Sequence, residues 1–91
     1  MIKKVILKGR VQGVGCRGYC AKYARKYLIS GSATNLSDGS VKLILNVNDE
    51  FTFKNFITSL IANSDDYGFW GSIDDVSISD YSGKTDGDYN F

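Results

Sequence analysis

The chain has no histidine, only two cysteines, and no apolar stretch long enough to cross a bilayer. Without histidine or a second cysteine pair, the usual transition-metal ligand sets cannot be assembled. No metal is expected, and no cofactor. Met1-Ile2-Lys3-Lys4 runs straight into alternating residues, which argues against a signal peptide or a membrane span and makes the cytoplasm the expected location. There is no repeat, low-complexity block or linker. With 91 residues, the chain is expected to form a single domain over 1–91, large enough for a two-layer core and too small for two cores.

Charge of one sign is scarce in each half. Residues 1–48 hold nine basic residues against Asp38 alone, while residues 49–91 hold nine acidic residues against Lys54 and Lys84. Such asymmetry fits a nucleic-acid surface on the basic half, or two complementary faces of one domain that draw an anionic ligand. The basic residues are dispersed through a strand-like and a helix-like run rather than clustered, which favours the second reading.

The most informative segment is Gly9-Arg10-Val11-Gln12-Gly13-Val14-Gly15-Cys16-Arg17. It follows a strand-like run and opens a helix-like one. Glycines let successive N–H groups converge, a helix start adds partial positive charge, and Arg17 supplies a planar fork of donors suited to phosphate. Gly13, Gly15 and Gly18 also satisfy G-x-G-x-x-G, with Asp38 at a dinucleotide-like distance. That fingerprint requires an acidic residue closing a second parallel strand, whereas Leu36-Ser37-Asp38-Gly39 reads as a tight turn. No Gly-Lys-Ser/Thr follows the loop, which excludes a triphosphate cradle. What remains is a phosphate-sized anion site without nucleotide machinery.

Along the chain, Ile2 to Val11 alternates as a half-buried strand, and Gly18 to Leu28 switches to helical spacing with Cys20, Ala24, Tyr27 and Leu28 on one side. Gly31 to Leu36 and Ser40 to Val47 read as strands joined through Asp38-Gly39. Phe53, Phe56, Ile57, Leu60 and Ile61 form the stripe of an amphipathic helix over Asp49 to Asn63. Ile73 to Ser79 is a further strand. Tyr89-Asn90-Phe91 is a possible short fifth strand. The order is βαββαβ, which predicts a ferredoxin-like α+β sandwich with two helices on one face of a mostly antiparallel sheet. An RNA-recognition domain shares that order but carries stacking aromatics on its first and third strands, which here have none, so no nucleic-acid partner is expected.

These residues resemble the acylphosphatase family. Gly9 to Arg17 matches G-x-V-Q-G-V-x-F/M-R at every fixed position except Cys16, where Phe or Met is usual. The second motif, G-aromatic-[AVC]-K/R-N-x-x-x-G-x-V, is matched by Gly31, Ala33, Asn35, Gly39 and Val41, and departs at Ser32 and Thr34. Leu28 replaces a glycine often found near the end of the first helix, and Asn48 one often found after the third strand. The resemblance implies that Arg17 and the loop backbone of Gln12, Gly13, Val14, Gly15, Cys16 and Arg17 bind a phosphate group. It also implies that Asn35 orients the attacking water. The implied reaction is hydrolysis of a small acyl phosphate to a carboxylate and inorganic phosphate, by a monomer and without a membrane partner. The same loop could serve a non-catalytic module that holds an acyl phosphate, carbamoyl phosphate or phosphate.

Cys16 and Cys20 lie four apart at the helix start. They read either as core-facing hydrophobes or as a reactive Cys16 acidified by the loop and Arg17.

Overall fold

The computed structural model describes residues 1–91. The elements run β1 (Ile2–Arg10), α1 (Cys16–Lys26), β2 (Ser30–Asn35), β3 (Val41–Asn46), α2 (Glu50–Ala62), β4 (Ser72–Asp80) and β5 (Tyr89–Asn90). The sheet order is β4-β1-β3-β2-β5 and every pairing is antiparallel. This is the ferredoxin-like α+β sandwich, including the fifth strand, which adds to the outer edge of β2 with Ala33 opposite Tyr89. No helix is long and apolar enough to cross a membrane.

The period-2 residues of β1 and β3 (Val5, Leu7, Val41, Leu43 and Leu45) are fully buried and meet Tyr19, Cys20, Tyr23 and Ala24 of α1 and Phe53, Phe56 and Leu60 of α2. Tyr19 and Tyr23 keep their hydroxyls paired, to the Leu60 carbonyl and to Asn63 Oδ1, so these large rings can be buried without stranding a polar atom. Lys3 bridges Glu50 at 2.8 Å and Asp80 at 2.7 Å, tying β1 to α2 and β4.

Two helix boundaries and two core assignments differ from the sequence pattern. Helix α1 starts at Cys16, two residues before Gly18, and stops at Lys26. Leu28 has left the helix with a φ of 57° and is 87% exposed, so it is not a core residue. Ile29, whose N–H bonds the Ala24 carbonyl at 2.8 Å, takes the buried place. Leu28 thus stands in a left-handed position that a glycine occupies without strain. Ile61 at the end of α2 is 62% exposed, because the stripe rotates off the core before the helix ends.

The fold places the candidate site by two restraints on the β1–α1 loop. Gln12 Nε2 donates to the carbonyls of Leu36 (2.7 Å) and Ser40 (2.8 Å), strapping the loop to the β2–β3 turn. On the other side the Trp70 N–H bonds the Val14 carbonyl at 3.0 Å. Gly71 lets this happen, since a Cβ there would collide with the Arg10 carbonyl and Val14.

Candidate active site

Gly13 and Gly15 have φ values of 71° and 82°, left-handed geometry that turns the chain from the end of β1 into α1. Gly15 is the N-cap of α1 and supplies no side-chain cap, and no acidic residue lies in the first helical turn. Within the helix, the first N–H bonded back along the chain is that of Tyr19, to the Gly15 carbonyl at 3.0 Å. The preceding N–H groups are therefore left to an external acceptor, with the positive end of the helix dipole behind them.

A cavity of about 170 Å³ opens at this point, lined by Val11, Gly13, Gly15, Cys16, Arg17, Gly18, Asn35 and Tyr89. Arg17 takes part in none of the chain's ion pairs. Asn35 is the last residue of β2, opposite Val41. Its Oδ1 is buried and finds no hydrogen-bond partner within the protein. A buried acceptor left unpaired costs about 1–3 kcal/mol, so this oxygen is poised for a donor delivered by a ligand or by water. The arrangement offers convergent N–H donors, a guanidinium and an amide facing one small space.

Arg17, Asn35, Gly13, Gly15 and Cys16 of the sequence expectation all line this cavity, whereas Gln12 and Val14 do not. Those two anchor the loop, Gln12 through its side chain to the hairpin and Val14 through its carbonyl to Trp70. Val11, Gly18 and Tyr89 join the lining beyond the residues expected to bind phosphate or water. Gly18 was visible in the glycine pattern. Tyr89 carries no local signal, because only the β5–β2 pairing brings residue 89 beside residue 35.

Of the departures from the family motifs, Cys16 lines the cavity, while Ser32 and Thr34 fall away from it. Ser32 and Thr34 alternate with Ala33 and Asn35, so they occupy the opposite face of β2. There Thr34 Oγ1 accepts from the Asp88 N–H at 3.2 Å, and a Cβ at Gly87 would meet Ser32 and Thr34. Cys16 is 2% exposed and belongs to the core cluster, with its Sγ 3.9 Å from Cys20 Sγ. The Cys20 thiol, with a smaller contribution from Arg17, holds the Cys16 thiol below its ordinary value against the effect of burial, while the Cys16 thiol and burial push Cys20 well up. Asp38, the residue a dinucleotide site would require, is spent in the β2–β3 turn, where it accepts from the Ser40 N–H at 3.0 Å.

Fold and site together define a small α+β domain whose candidate anion cradle sits at the uncapped start of its first helix. A family model described as Acylphosphatase matches residues 3–91. The chain is 36% identical over 77 residues to an acylphosphatase from Clostridium perfringens, a match covering 85% of this chain and 84% of that one. The crystal structure of acylphosphatase from Bacillus subtilis superposes with a TM-score of 0.75 at 26% identity, over 92% of this chain and 89% of that one. An acylphosphatase structure from Coxiella burnetii shares the fold, with a TM-score of 0.73 at 22% identity over 94% and 87% of the two chains. The chain belongs to the acylphosphatase family.

Proposed function

We propose that this protein hydrolyses the carboxyl-phosphate bond of small acyl phosphates, with the phosphoryl group seated between the Gly13–Gly18 backbone and Arg17 and the attacking water held by Asn35. The observation that carries the reading is the meeting, in one cavity, of an uncapped helix start, an arginine outside every ion pair and a buried amide oxygen with no partner. An acyl phosphate brings its own good leaving group, a carboxylate. The protein therefore has only to position water in line and stabilise charge on the equatorial phosphoryl oxygens. Arg17 and the loop N–H groups supply the charge stabilisation. The Asn35 Oδ1 accepts a hydrogen bond from the water and directs a lone pair at phosphorus; as the new P–O bond forms, the P–O bond to the carboxylate breaks and the water's protons pass to the phosphate product. Neither step calls for a nucleophilic side chain.

One chain supplies every group in this scheme, which supports action as a monomer on a freely diffusing substrate, with the cytoplasm as the expected setting. β1 and β3 present no aromatic residue for base stacking, which supports a small-molecule rather than a nucleic-acid partner. The test is release of inorganic phosphate from benzoyl phosphate by the wild-type chain, with inorganic phosphate as a competitive inhibitor. Competitive binding without turnover would instead identify a non-catalytic phosphate module.

A further inference from the structure

The lining of the cavity is uneven on its outer side. Three of its residues are apolar, Val11, Cys16 and Tyr89. Val11 and Cys16 are each only 2% exposed, whereas Tyr89 is 38% exposed. The glycines at 13, 15 and 18 offer no side chain. An apolar group pointing outward from a phosphate in the cradle therefore has one side chain to rest on, the Tyr89 ring. The preceding residue, Asp88, accepts the Asn35 N–H on its carboxylate at 3.3 Å. Both residues are held firmly. The Asp88 N–H bonds Thr34 Oγ1, and Phe91 exchanges backbone bonds with Gly31 at 2.9 and 3.0 Å, clamping the terminal strand to β2.

We infer that Tyr89 of the terminal strand determines which acyl group is accepted, favouring flat, apolar acyl phosphates over small aliphatic ones. Tyr89 stacks against a planar acyl group, a contact an aliphatic two-carbon group cannot match. This inference rests on the hydrolytic reading above.

The experiment compares kcat/KM for acetyl phosphate and benzoyl phosphate in the wild type, Tyr89→Ala and Tyr89→Leu. Ratios are taken within each variant, so a loss of folded protein cancels. The wild type should prefer benzoyl to acetyl phosphate, and that ratio should fall about fivefold in Tyr89→Ala and less in Tyr89→Leu. Turnover of both substrates with that ratio unmoved by the substitutions would overturn the selectivity inference and leave the hydrolytic reading standing. Failure of the wild type to turn over either of them would overturn both.

Discussion

The two helices of this fold begin in opposite ways. Helix α2 closes its own start: the N-cap Asp49 accepts the Thr52 N–H at 2.7 Å and the Thr52 hydroxyl at 3.1 Å, and Glu50 adds a second carboxylate in the first turn. The Thr52 N–H bond holds the Asp49 carboxyl below its usual range, as expected for an acid that answers a helix dipole. Helix α1 has a left-handed glycine at the same place, no acidic residue in its first turn, and a free arginine as its second residue. One helix start is satisfied from within the chain, and the other is left without a side-chain cap. The contrast shows what distinguishes a site from a structural terminus: the missing cap matters because an arginine and an unpartnered amide face the same space.

The largest break in that contrast should come from Arg17→Ala. Turnover of benzoyl phosphate is expected to fall about a thousandfold, with inhibition by inorganic phosphate lost as well, while the circular dichroism of the fold persists. Arg17→Lys should recover only part of this, because it restores the charge without the bidentate fork. Asn35→Ala should lower kcat about a hundredfold and shift the inhibition constant for phosphate far less, the mark of a group used mainly in the transition state. Equal losses in turnover and phosphate affinity would make Asn35 a substrate clamp.

The opposite half of the comparison is sharpened at α2. Asp49→Ala should lower the melting temperature by several degrees, about what loss of one N-cap implies for a domain of this size, and leave phosphate inhibition as it was. Arg17 and Asp49 would then separate ligand binding from stability at two helix starts of one protein. The smallest effect is expected at the far end of α1. Leu28→Gly relieves the left-handed strain at a position where the side chain is already in solvent, and should raise stability by about 0.5–1 kcal/mol in denaturant unfolding.

Much of this was legible in the residue pattern. The alternation in β1 and β3 and the stripe from Phe53 to Leu60 point to the two-layer sandwich because periodicity reports directly on which face is buried. The loop from Gly9 to Arg17 announces an anion site because few other functions need glycines in that order before a helix. The ends of elements were less legible. Leu28 and Ile61 fit the helical spacing yet lie outside the core, since spacing alone does not say where the chain turns away. The division of labour within the loop was hidden too, as nothing local separates Gln12, which straps the loop to the hairpin, from Gly13, which lines the cavity. Tyr89 joins the cavity lining through a strand pairing across more than fifty residues, a contact that no short window of sequence contains.

The most direct test follows the backbone amides of both helix starts by NMR while inorganic phosphate is titrated into the wild-type protein. We expect saturable shifts of the Gly13 to Gly18 amides and the Arg17 side-chain N–H groups, with the Glu50 to Phe53 amides unmoved. Shifts that appear equally at both helix starts, or that leave the Gly13 to Gly18 amides untouched at saturating phosphate, would contradict the claim that the uncapped start of α1 is the anion site.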